Sequence, residues 1–192
     1  WSSDVCSSDL KSYHKKLNSH CQPSVSVLKK DIGKIDQEIE NIINQDERLN
    51  RLMQLITSVP RIGKVIATEI IICTNEFRSI TSPKKLACYC GIAPFAWTSG
   101  TSIKGKARVS HHANKELKAL LHIAALGIVR MKKYPSLRDY FDRKVAEGKN
   151  KMSVLNALRN KLVHRIFACV RDDKLFTEYQ KPLAVPVAID VS

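Results

Sequence analysis

Between residues 25 and 56 apolar positions recur at alternating steps of three and four. Val25, Ile32, Ile39 and Met53 fall on one seven-residue series, and Leu28, Ile35, Ile42, Leu49 and Ile56 fall on the other. This 4-3 spacing, with β-branched residues or Met at one series and Leu or Ile at the other, predicts a coiled-coil helix. The single polar seam position is Asp46. A carboxylate there costs stability, and either fixes the register of two helices or marks where the seam opens. The alternative reading of the same stripe is one amphipathic helix packing on its own domain.

Further on, the pattern changes. Ser58-Val-Pro-Arg-Ile-Gly-Lys-Val-Ile-Ala reads as a tight turn between two short helices, with the second continuing through Val65, Ile66, Ile70 and Ile71. This resembles a helix-hairpin-helix, in which glycines let backbone N–H groups approach a phosphate at a helix start. Gly63 keeps one such position. Arg61 stands where a first glycine is common, which weakens a left-handed turn but adds a cation. Ser82-Pro83 predicts a helix through Leu86 and Tyr89 that ends at Gly91. Pro94 and Gly100 bracket a loop with room for a short β-hairpin. From Asn114 to about Lys133 a largely apolar helix is expected, then one from Ser136 that stops at Gly148, and a last one from Ser153 to Arg171. The fold class expected is mainly α: a long coiled-coil helix followed by a compact helical domain.

The boundaries that follow are a connector over 11–24, an arm over 25–57, a compact domain over 58–176 and a loose tail over 177–192. Residues 1–10, WSSDVCSSDL, resemble the translated read-through of a sequencing adapter. They are set aside from fold reasoning, and native sequence is expected to begin near Lys11 as the C-terminal piece of a longer protein.

Charge narrows the class of partner. The chain of 192 residues carries a formal net charge of +14, and residues 77–174 hold 21 Lys or Arg against 6 Asp or Glu. The excess is therefore confined to the second half. A field so concentrated suits a polyanion such as DNA or RNA, with binding that weakens steeply as salt rises. The longest apolar run, near 120–129, contains His122 and is too short to span a bilayer. Six cysteines form no regular framework, which fits a reducing cytoplasm. Cys88 and Cys90 with His111 and His112 lack the usual spacing of a zinc site, so no metal ligand is assigned.

The chemistry centres on Ser99-Gly100, followed closely by Lys104, Lys106 and Arg108. A hydroxyl on a turn can attack phosphorus, and neighbouring cations can neutralise the charge that develops. Ser102 and Ser110 are rival nucleophiles, and His111 or His112 is a candidate to move the proton. Arg61, Gly63, Lys64, Gly100, Asn114, Lys115 and Lys118 join the basic run as candidate DNA contacts.

Taken in order, the heptads, VPRIGKVIATEI, FRSITSPKKLACYCGIAP, the TSG with its basic run, HHANKELKALL and YFDRKVAEGKNKMSVLNALRNKLVHRIFACV resemble the C-terminal half of transposases of insertion-sequence family 110, relatives of the Piv-type DNA invertases. The likeness covers about residues 25–173. Ala113 and Lys118 depart mildly from it, since Gly and Arg are common there, and a Lys cannot clamp phosphate in bidentate fashion. The resemblance implies a bacterial transposase whose N-terminal acidic domain, not seen in this chain, binds divalent metal, expected to be magnesium. It also implies Ser99 as catalytic serine, a covalent phosphoserine intermediate, DNA and a structured bridge RNA as partners, and a homo-oligomer. On this reading the fragment needs no cofactor of its own, and alone it binds nucleic acid without recombining it. The competing readings are a non-catalytic nucleic-acid-binding and dimerisation module, which would tolerate Ser99→Ala, and a nuclease fragment acting through metal alone.

Overall fold

The computed structural model describes residues 7–93, 95–99, 103–108, 113–131 and 135–178; for 95–99 and 103–108 only the backbone enters the description. The elements in chain order are α1 (Ser7–Gln45), α2 (Glu47–Thr57), α3 (Lys64–Thr74), α4 (Pro83–Tyr89), β1 (Phe95–Ser99), β2 (Ile103–Arg108), α5 (Lys115–Arg130), α6 (Pro135–Ala146) and α7 (Lys151–Asp172). The protein is mainly helical, as its apolar periodicity predicts. It divides into two compact units, residues 1–50 and 51–192.

The first unit is built on α1, whose 39 residues correspond to a rod about 58 Å long at 1.5 Å per residue. The seam expected from the heptads lies open along it: Leu28 is 62% exposed, Ile32 58%, Ile35 55% and Ile42 59%. Ile39 and Leu49 are half-buried. Two expectations need correction. Residues 11–24, read as a connector, are helical. The sole breaker there is Pro23, whose missing N–H removes one bond from a helix otherwise composed of tolerant polar residues. Nor does one helix run unbroken through the heptads, because α1 stops at Gln45 and α2 begins at Glu47. Asp46 supplies the reason. Its Oδ1 accepts from the Leu49 N–H at 3.0 Å and its carbonyl accepts from the Asn50 N–H at 2.9 Å, so it caps α2. The polar residue in the seam is a helix start.

In the second unit α7 is the central element, packed against α4, α5 and α6, while α5 also packs on α3 and α6. Leu121, Ala125 and Ile128 from α5 meet Leu158, Leu162 and Ile166 from α7 in a core where each is fully buried. Ile56, the last residue of the heptad series, is buried in this unit, unlike the exposed Leu28, Ile35 and Ile42 of the same series. Each such aliphatic side chain is worth about 1.5–3 kcal/mol of transfer free energy. The helix start read at Ser82 is capped: Ser82 Oγ accepts from Lys85 N–H at 3.3 Å with Pro83 in the first turn. The last helix, expected from Ser153, begins two residues earlier at Lys151, because Asn150 Oδ1 accepts from Met152 N–H at 2.9 Å and caps it there. Among the described residues no helix is long and apolar enough to cross a membrane.

One turn lies outside any reading of the pattern. Asn75, Glu76 and Phe77 all have positive φ, at 48°, 55° and 63°. Left-handed backbone costs non-glycine residues about 1–2 kcal/mol each. The buried Thr74 hydroxyl donates to Ile70 O at 2.6 Å and accepts from Phe77 N–H at 3.1 Å, and the Phe77 ring stands edge-on to Phe167 with centroids 5.0 Å apart. Those contacts hold the turn.

Candidate nucleic-acid interface

β1 and β2 form an antiparallel hairpin with Thr98 opposite Lys104 and Ser99 opposite Ile103. Ser99 is thus the last residue of β1, and Lys104 sits one rung from it on the partner strand. Trp97 pairs with Gly105 but Phe95 pairs with Arg108, so β2 carries one extra residue between those rungs, a bulge that includes Lys106. Gly100, Ser102, Ser110, His111 and His112 lie outside the described residues.

The described segments on either side of the hairpin are held by three elements. Asn114 N–H donates to Tyr89 O at 2.9 Å, tying the start of α5 to the end of α4. Asn114 Oδ1 accepts from Leu117 N–H at 2.9 Å as the α5 cap, while its Nδ2 donates to Glu69 Oε1 at 3.3 Å. From α7, Asn156 Nδ2 donates to Ile92 O at 2.7 Å just before β1. Asn114, expected among the DNA contacts, therefore has its side chain committed to capping α5 and to Glu69 of α3. Glu69 and Asn156 were not singled out by sequence. The one signal was an amide beside the apolar stripe of α7, next to Leu155 and near Leu158.

The turn between α2 and α3 places the other candidates. Arg61 itself takes the left-handed conformation, φ 64°, where a glycine would be unstrained. Its guanidinium lies over Gly127 of α5, where a Cβ would come 2.7 Å from Nη2, and its Nη1 is 3.3 Å from Met131 Sδ. Gly63 caps α3 in extended backbone (φ −92°, ψ 177°), and a Cβ there would meet nothing. Among the described residues no steric demand requires this glycine. Lys64 and Lys115 occupy the first positions of α3 and α5, both exposed, and Lys118 is half-buried. Cations at the positive end of a helix are unfavourable by about 0.3–1 kcal/mol, whereas anions are welcome there. An anion placed at either helix start would meet a lysine there.

The cysteines have a different character. Burial pushes the Cys90 thiol up to about 12, and burial followed by the charge of Glu69 pushes Cys73 up to about 11. Both stay protonated at neutral pH, the unreactive state. Among the described residues no group of three His, Cys, Asp or Glu side chains could hold a metal ion.

Comparison with known proteins gives a family likeness. Residues 53–142 match the model of the Transposase IS116/IS110/IS902 family. The chain is similar to the pilin gene-inverting protein of Moraxella bovis, 28% identical over 160 residues covering 83% of this chain and 49% of that protein. It is similar also to an uncharacterized 43.6 kDa protein of insertion element IS110 from Streptomyces coelicolor, 31% identical over 150 residues covering 78% of this chain and 36% of that one. An uncharacterized 42 kDa protein of insertion element IS900 from Mycobacterium paratuberculosis is 28% identical over 156 residues, covering 79% of this chain and 38% of its own length. The chain thus spans half or less of the length of these relatives. Together the matches show a likeness to proteins of the Transposase IS116/IS110/IS902 family.

Proposed function

We propose that this chain is the C-terminal part of a DNA transposase, and that it binds DNA and supplies Ser99 as the nucleophile for strand cleavage and exchange. The observation that carries the reading is the hairpin register: a serine at the end of β1, one rung from Lys104, on a hairpin anchored to α3, α4 and α7. Anchoring matters because a nucleophile gains most from a fixed approach to its target. In the proposed step Ser99 Oγ attacks a backbone phosphorus. The bond from phosphorus to one strand breaks, that strand leaves with a hydroxyl, and the phosphate stays bonded to serine. Attack by a strand hydroxyl on this phosphoserine reverses the chemistry and joins new ends. Phosphodiester is conserved throughout, so neither water nor a high-energy cofactor is consumed. Lys104, Lys106 and Arg108 offset the charge of the phosphorane, and Arg61, Lys64, Lys115 and Lys118 hold the flanking backbone.

Divalent metal belongs to the acidic half expected upstream. No carboxylate set for it exists among the described residues, and no step above is routed through it. A bridge RNA and self-association through the open seam of α1 complete the assembly we infer, the seam being supported by the exposure of Leu28, Ile32, Ile35 and Ile42. The test is Ser99→Ala in the full-length protein on a suicide substrate. Covalent protein–DNA adduct should vanish while DNA affinity stays unchanged. Persistence of the adduct would remove Ser99 from the mechanism.

A further inference from the structure

Away from the hairpin, between α6 and α7, lies a cavity of about 510 Å³ lined by Tyr140, Ala157, Asn160, Lys161, His164 and Arg165. No carboxylate is among these lining residues. The contrast with the rest of α6 is informative. Arg138 pairs with Asp142 at 3.5 Å, Lys144 with Glu147 at 2.6 Å, and Arg143 approaches Glu147 at 3.9 Å. Ion pairs are therefore formed along and just after this helix, whereas among the described residues none joins Lys161, His164 or Arg165, and Glu178 acts on Arg165 only through its charge.

Those cations rest on aromatic rings instead. Lys161 Nζ stands 4.5 Å from the Tyr140 ring centroid, and Arg165 Cζ stands 4.8 Å from that of Phe176. Ring faces orient a cation without neutralising it. Arg165 Nη2 donates to Ser136 Oγ at 3.2 Å, and the nearest acid, Glu178, is taken up by that same hydroxyl at 2.8 Å and by Ser136 N–H at 3.3 Å. Arg165 Nη1 and Asn160 Oδ1 are both buried with no hydrogen-bond partner. Leaving such groups unpaired costs about 1–3 kcal/mol apiece. An orphaned guanidinium donor needs an acceptor oxygen, and an orphaned amide oxygen needs a hydroxyl or N–H.

We propose that this cavity is a second phosphodiester site, which takes a backbone phosphate of bound nucleic acid against Lys161, His164 and Arg165, with Asn160 accepting from a hydroxyl or N–H of the adjoining nucleotide. It rests on the reading that this chain binds nucleic acid and extends that binding surface beyond the hairpin. Cations already oriented on rings lose little freedom when the phosphate arrives. The cavity also lies within the stretch where the positive charge is concentrated, so a strand held at the hairpin has a field to follow.

The experiment uses the full chain and fluorescence anisotropy with a duplex DNA and with RNA of the same sequence, across a salt series. Each phosphate contact contributes about 0.7–0.9 to the slope of log affinity against log salt, so Lys161→Glu should weaken binding about tenfold and reduce the slope by about 1. The double variant Lys161→Ala with His164→Ala, whose two side chains are exposed, should show the same direction with an unchanged melting temperature. If wild-type protein binds either nucleic acid and both cavity variants match it in affinity and slope, the cavity proposal is overturned and the proposed function stands. If wild-type protein binds neither, both fall. Inorganic phosphate provides the last arm, read by the His164 imidazole resonances. A shift with phosphate in wild type that Lys161→Glu abolishes supports the site, provided nucleic-acid affinity falls too. The same shift with nucleic-acid affinity untouched makes it a free-phosphate pocket and overturns the assignment.

Discussion

Ile32 of α1 and Ile166 of α7 are the same side chain on stripes of nearly the same period, yet Ile32 is 58% exposed and Ile166 is fully buried. The difference teaches what periodicity contains. It states that a helix has an apolar face, and it is silent on what covers that face. In the second unit the cover is the chain itself, from α4, α5 and α6. In the first, Leu28, Ile32, Ile35 and Ile42 stay exposed, and nothing among the described residues covers them. Leu162→Ala provides the largest test. It should cost about 2–5 kcal/mol in urea unfolding followed by circular dichroism, whereas Ile32→Ala with Ile35→Ala should change unfolding of the compact unit by less than about 0.5 kcal/mol. The arm pair should instead lower self-association in sedimentation velocity. Equal damage from both would erase the distinction between the two units.

Next in size is Asn114→Ala, which removes a cap and the link to Glu69 together. A loss of about 1–2 kcal/mol is expected, with faster hydrogen exchange at the start of α5 and at the hairpin base. Normal exchange with lowered DNA affinity would instead return Asn114 to the binding surface.

Acid should separate the units too. Burial, and then the charge of Arg159, hold the His122 imidazole below its ordinary value of 6.5. A histidine with its folded value depressed binds fewer protons when folded, so its stabilisation is whole above about 6.5 and is lost as pH falls through that folded value. The melting temperature of the compact unit should decline over that window, and His122→Gln should flatten the decline. A variant with an unchanged acid limb would assign the effect to another group.

How much of this was legible beforehand depends on range. Caps and breakers are local, so Ser82-Pro83, Asn114 and Gly148 marked helix ends correctly. Asp46 was legible as an anomaly, but heptad arithmetic cannot distinguish a seam residue from a cap, because the distinction lies in the two hydrogen bonds that it accepts from Leu49 and Asn50 rather than in polarity. The left-handed run at Asn75, Glu76 and Phe77 has no glycine to announce it, and its support from Phe167 is far away in sequence. For the same reason nothing in a linear reading joins Tyr140 to Lys161, or Asn156 to Ile92. Ser99 and Lys104 were close enough in sequence for the chemistry to suggest itself, and the hairpin register then brought them to neighbouring rungs.

The smallest expected effect concerns Gly127, where an added methyl would collide with the Arg61 guanidinium. Alanine gains helix propensity of about 1 kcal/mol, and the far end of an arginine moves aside cheaply, so Gly127→Ala should shift the melting temperature little and upward if at all. What changes is where a positive charge comes to rest. That notch is cut by a missing side chain on a neutral residue, so the electrostatic landscape beside the first turn of α3 can be redrawn without adding or removing a single charge.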